Sequence, residues 1–94
     1  MKPSRLNRWI ILYLCLSRFE NDQLYEATDL AQWLGIPEKH RLMRYYLNRL
    51  VREGYLVRVI WGHRMFYGRP ELWWFLRTID LFEWEGGMRF RVRR

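Results

Sequence analysis

Cysteine is almost missing from this chain: Cys15 is the only one among 94 residues. A disulfide framework is thereby excluded, and so is any cysteine-based metal site. The neighbours Leu14 and Leu16 mark Cys15 as a small core residue. Long hydrophobic runs are missing too. The longest, WIILYLCL at residues 9–16, has eight residues, against about 18–20 needed to cross a bilayer, so no membrane partner is expected. Met1-Lys2 stands before that run, but no small-residue cleavage site follows it, and the expected location is the cytoplasm. A glycine-rich phosphate loop, a nucleophile motif and a carboxylate pair with a task are all lacking. Neither His40 nor His63 has a partner at metal-ligand spacing. No enzyme, no metal and no cofactor are therefore expected.

Acidic residues are scarce as well, 10 against 17 basic ones, which leaves a net charge of +7 and a pI near 10.2. Such a balance calls for an anionic partner. Lysine supplies only two of the basic residues and arginine fifteen; arginine is the side chain suited to bidentate phosphate and base contacts. What is abundant is apolar surface. Half of the residues are hydrophobic and 18% are aromatic, which excludes a disordered chain. No repeat, linker or low-complexity segment divides it, so residues 1–94 are read as one domain.

The order of elements reads helix, helix, helix, hairpin, helix, tail. Ser4 is the expected N-cap of a first helix over residues 5–19. Residues 24–27 suit a short strand, and Thr28 is placed to cap a second helix over 29–34, with Asp29 at its positive end. Gly35 ends that helix, and Pro37 starts a third that runs to Glu53 before Gly54. YLVRVIW (55–61) and RMFYG (64–68) flank Gly62-His63 as the arms of a hairpin. A three-residue loop places Val57, Val59 and Trp61 on one face with Met65 and Tyr67; a two-residue loop changes the pairing. Pro70 opens a fourth helix over 70–82, with Glu71 near its start. In the tail FEWEGGMRFRVRR, a loop at Gly86–Met88 sets Glu85 against Arg89, Trp84 against Phe90 and Glu83 against Arg91, pairs that favour a second hairpin. Strand 88–92 has the alternative of pairing with a partner subunit, and Arg93 and Arg94 either reach phosphate or fray.

The stretch DLAQWLGIPEKHRLMRYYLNRLVREGYL resembles the helix-turn-helix of winged-helix regulators, of the broad arsenic-repressor, multiple-antibiotic-resistance and PadR-like type. The resemblance lies in Leu30-Ala31, in the turn Leu34-Gly35-Ile36, in Met43, Leu47 and Leu50, and in Gly54-Tyr55-Leu56 at the exit into the wing. It covers about residues 5–69. In size the chain is also similar to the miniature winged-helix proteins of archaeal viruses. The resemblance implies an α+β, mostly helical winged helix-turn-helix: a three-helix core, a β-hairpin wing, and an added C-terminal helix and hairpin over 70–94. It implies double-stranded DNA as the partner and transcription regulation as the role. The metal-binding cysteines of the arsenic-repressor type are not present, so metal sensing is not implied.

Helix three supports that function on its own pattern. Met43, Leu47, Leu50 and Val51 recur at spacings of three and four and form the packing stripe. Lys39, His40, Arg41, Arg44, Tyr45 and Asn48 fall mostly away from it, as a helix lying in a major groove requires. Arg41 and Arg44 are the candidates for guanine, Asn48 for adenine, and Lys39 and Arg49 for phosphate. Arg58, His63, Arg64 and Arg69 lie on or beside the wing, where a tip follows the backbone or enters a minor groove. Charge is segregated accordingly. Residues 1–36 carry four basic and four acidic side chains; residues 37–69 carry eight and two; residues 70–94 carry five and four. A face kept wet only for solubility needs no such segregation.

Helices one and four carry more apolar surface than one small core absorbs. Leu6, Trp9, Ile10 and Tyr13, with Leu72, Trp73 and Leu76, are the candidate contacts of a homodimer. Two rival classes stay open: a winged-helix protein-interaction module, and a ligand-responsive sensor with Trp9, Trp73 and Trp74 lining a pocket between subunits. RNA in place of DNA is a further alternative.

Overall fold

A computed structural model describes residues 6–93 of the chain as an α+β unit with four α-helices and one four-stranded sheet. The first helix, α1, spans Arg8–Arg18 and is capped by Asn7, whose side chain accepts from the N–H groups of Trp9 (2.9 Å) and Ile10 (3.1 Å). The helix thus begins three residues later than expected; Ser4 and Arg94 lie outside the described residues. The second helix, α2, spans Ala27–Trp33 and starts at Glu26 instead of Thr28. The reason is a reciprocal bond at its start: Asp29 Oδ2 accepts from the Glu26 N–H at 2.8 Å, which satisfies one of the orphan donors of the first turn.

Gly35 terminates α2 as expected, and the Ile36 N–H closes back on the Ala31 carbonyl at 2.8 Å. Pro37–Lys39 then form one turn of 3₁₀ helix before α3, which spans His40–Arg52. The expected third helix is therefore split, its first turn tighter than the rest.

Strands β1, Val57–Trp61, and β2, Arg64–Gly68, pair antiparallel with Trp61 opposite Arg64. Only Gly62 and His63 remain in the loop, and Gly62 supplies the positive φ of 64° while His63 does not, as in a type II′ turn. This two-residue turn replaces the three-residue alternative: Val59 now faces Phe66, and Tyr67 faces Arg58. The segment at residues 24–27 contributes a single bridge, Tyr25 to Tyr67.

The fourth helix, α4, is only Leu72–Thr78, much shorter than 70–82. Ile79 turns extended, and Phe82 enters strand β3, Phe82–Gly86, which pairs with β4, Arg89–Val92. The expected pairs Glu83–Arg91 and Trp84–Phe90 form; a bulge beyond Trp84 sets Gly86 opposite Arg89, and Glu85 turns its carboxylate to Arg91 at 2.7 Å. Strand β4 pairs within its own chain, parallel to β1, giving the order β2-β1-β4-β3.

The sheet carries a core on each face. On one side Ile11, Cys15, Leu30, Met43, Leu47 and Leu50 pack with Tyr67, all with no exposed surface. On the other, Val57, Val59 and Phe90 pack under Leu76 of α4. Gly68 sits where the layers meet, and a Cβ there would lie 2.6 Å from Leu72 Cδ1. Phe90 is the pivot of the second core, fully buried on the strand that joins the two hairpins. Phe90→Ala is expected to cost about 3–5 kcal/mol in urea unfolding, whereas Trp74→Ala, at a side chain 73% exposed, should change stability by less than about 0.5 kcal/mol.

Candidate nucleic-acid interface

Helix α3 divides its side chains cleanly. Met43, Leu47, Leu50 and Val51 are buried, while Arg41, Arg44, Tyr45 and Arg52 are exposed. Lys39 is exposed on the 3₁₀ turn, and none of Lys39, Arg41, Arg44 and Arg52 pairs with a carboxylate among the described residues. Tyr45 leans edge-on against Tyr46, ring centroids 5.5 Å apart, and Tyr46 is itself held by a bond from its hydroxyl to the Leu6 carbonyl. These residues make one basic face with an aromatic ring in it.

Four of the expected contact residues are engaged elsewhere. Asn48 accepts at Oδ1 from the Tyr67 hydroxyl (2.7 Å) and from Arg58 Nη1 (3.3 Å). A bidentate adenine contact needs that oxygen, so Asn48 is a structural tie between α3 and the sheet. Arg49 points to Glu53 (3.6 Å), which also holds Arg8 (2.8 Å), and this draws it toward α1 and away from the open face. Arg64 is exposed but ion-paired with Glu26 at the start of α2, an arrangement that raises its already high pKa through the hydrogen bond and charge of Glu26. Arg69 donates from Nη1 to the Leu16 carbonyl at 2.8 Å and braces the base of the hairpin against α1. His40 is half-buried, with Nδ1 3.4 Å from the Pro37 carbonyl.

His63 remains exposed at the hairpin tip and shares a notch with Arg44, Arg64 and Thr28. The Arg64–Glu26 pair closes one side of that notch and anchors the tip to α2. Arg58 is half-buried on β1, below α3. Arg52 belongs to the same exposed face and was legible: it lies four residues from Asn48 and eleven from Arg41, close to whole numbers of helical turns.

The expected dimer contacts are brought together only in part. Trp9, Ile10 and Tyr13 are exposed on α1, Tyr13 by 75%, with Leu16 beside them and Leu6 half-buried. On α4 the assignment is corrected. Leu76 is buried and Leu72 and Trp73 pack against the sheet, because the second face of the sheet takes that stripe; the outward residues are Trp74 and Phe75.

No group of three or more His, Cys, Asp and Glu among the described residues is placed to hold a metal ion, and no described helix is long and apolar enough to cross a membrane. No family model, curated protein or solved structure matches the chain.

Tyr67 links the site to pH. Burial pushes its phenol up to about 12, against the opposing pull of the Arg58 and Arg44 charges. The raised pKa means that the folded state favours the protonated phenol, so this contribution to stability is complete below about pH 10 and is lost toward pH 12. Thermal melts from pH 9 to 12 should show this loss, and it should be smaller in Tyr67→Phe. Asn48→Ala leaves the buried Tyr67 hydroxyl with only the weak acceptor Met65 Sδ at 3.6 Å and is expected to cost about 1–3 kcal/mol at neutral pH.

Proposed function

We propose that the chain is a winged-helix protein that binds double-stranded DNA, with α3 in the major groove and the β1–β2 hairpin as the wing. The observation that carries this reading is the exposed, uncompensated set Arg41, Arg44, Tyr45 and Arg52 on a helix whose other face is wholly buried. The order of elements supports it: a helix, a bridging segment, two helices joined by a turn, then a hairpin. In this reading Arg41 and Arg44 meet guanine edges, Lys39 and Arg52 meet phosphate, and the tip at His63 follows the flanking backbone.

The role is regulation of transcription by occupancy of an operator, and the binding unit is a homodimer. The exposed apolar stripe Trp9, Ile10, Tyr13 and Leu16 supports a self-complementary contact through α1. A twofold pair of recognition helices reads a palindrome with half-sites about one DNA turn apart.

A second reading, a protein-interaction module, draws on the opposite side of the sheet. There Trp61, Phe66, Leu81 and Phe82 line an apolar hollow of about 290 Å³. The two readings separate on duplex binding at low salt, which only the first requires.

Selection from a random duplex library at moderate salt tests the proposal, with enrichment of a palindrome as the expected result. On the selected site, Arg41→Ala and Arg44→Ala should each cost about 1–3 kcal/mol and relax one base position. Equal losses on selected and random duplex would make the altered residue a phosphate contact. The absence of both enrichment and retarded mobility of duplex at low salt would refute DNA binding.

A further inference from the structure

A groove of about 470 Å³ runs between the C-terminal half of α3 and the β1–β4 pair, with Asn48, Arg52, Arg58, Gly87, Met88 and Arg89 in its walls. We propose that this groove is a phosphodiester-binding subsite in which Arg52, Arg58 and Arg89 converge on one backbone phosphate. The inference rests on the DNA reading and extends it to the second hairpin, which that reading does not use.

Charge is the first argument. Three guanidinium groups share the groove and no carboxylate lines it. The nearby acids along the chain are already committed, Glu53 to Arg8 and Arg49, and Glu85 to Arg91. Arg58 and Arg89 are register partners on adjacent parallel strands, which lie about 4.8 Å apart. Like charges placed side by side on neighbouring strands repel, and an anion bound between them removes that penalty.

Hydrogen-bonding capacity is the second. Arg58 Nη1 is held by Asn48 Oδ1, but its Nε is buried and has no partner. Nε is closed to solvent, so an oxyanion in the groove would meet Arg58 at its terminal nitrogens, which carry the charge of the guanidinium. Arg89 makes only long bonds to the Gly86 and Glu85 carbonyls, both 3.4 Å, so it can turn to a ligand without breaking an ion pair. Arg52 enters from α3 with no carboxylate partner.

Preorganisation is the third. The Gly87 carbonyl in the β3–β4 turn accepts from the indoles of Trp73 (2.8 Å) and Trp84 (2.9 Å), and the Arg58 N–H donates to the Met88 carbonyl at 2.9 Å. The wall is thus fixed to α4 and to β1 before any ligand arrives. The volume also admits a phosphate with part of its hydration, a water taking about 30 Å³.

The test uses the full chain and a fluorescein-labelled duplex of random sequence, with anisotropy read across a range of salt. Arg89→Ala and Arg52→Ala should each weaken binding about three- to tenfold at low salt and flatten the slope of log K against log salt, by no more than about 0.9 even when combined, the weight of the one phosphate they share. Base preference on a selected site should not change. Arg77→Ala, which removes the same charge from α4, should leave the slope unaltered. Arg89→Ala decides the groove, because Arg52 also belongs to the α3 face: if Arg89→Ala binds as the parent does while Arg44→Ala weakens binding, the groove proposal is overturned and the DNA reading stands. If the parent chain fails to bind duplex at low salt, the DNA reading falls, and thermal shift with inorganic pyrophosphate decides the groove. Stabilisation that disappears in Arg89→Ala would assign it to a free phosphate compound; no stabilisation, or stabilisation that persists, would overturn it.

Discussion

The bond from the Tyr67 hydroxyl to Asn48 Oδ1, 2.7 Å long, ties the sheet to the middle of α3. Everything that the basic face presents depends on that tie. Asn48 sits between the arginines of α3, and Tyr67 sits on β2 with no exposed surface. Because the same oxygen also accepts from Arg58, three elements, α3, β1 and β2, are held at one atom. A polar node of this kind is costly if half satisfied, and when complete it fixes one relative placement of its members. The apolar stripe of α3 supplies most of the packing free energy, yet a stripe alone would tolerate rotation and sliding; the node sets the register.

The sheet explains why a short chain can keep so many aromatics. Strand β1 is covered on one face by the helical layer and on the other by α4, and β4 occupies the edge that the first hairpin would otherwise leave open. An open edge invites pairing with other chains, so the second hairpin protects β1. It also brings Arg89 next to Arg58. Stability and surface charge therefore come from the same insertion. The ion pairs contribute less to stability than to placement: Arg64–Glu26 is largely exposed, and exposed pairs are weak, but this one ties the hairpin tip to α2.

Local features of this fold were legible in the sequence and nonlocal ones were not. The α3 stripe, the end of α2 at Gly35 and the tail pairs Glu83–Arg91 and Trp84–Phe90 follow from periodicity, turn chemistry and cross-strand charge. The parallel pairing of β1 with β4 spans some thirty residues and leaves no pattern in either strand, and hence Arg89 was not anticipated at a shared groove. The sequence pattern overextends helix α4 because Ile79, Leu81 and Phe82 continue an apolar pattern that suits helix and strand alike. The engagement of Asn48 by the sheet is hidden in the sequence for a related reason. A polar residue opposite an apolar stripe looks solvent-facing on the helix alone, and only the sheet beside it converts that position into a half-buried tie.

The central claim is that α3 presents its arginines to DNA while α4 faces away from it. Amide chemical-shift mapping during titration with the duplex tests this most directly. The account predicts shifts concentrated at Arg41, Arg44, Tyr45 and Arg52 and at the Gly62-His63 tip, with Trp74 and Phe75 undisturbed. Shifts centred on α4, or a spectrum that does not respond to duplex at low salt, would contradict it.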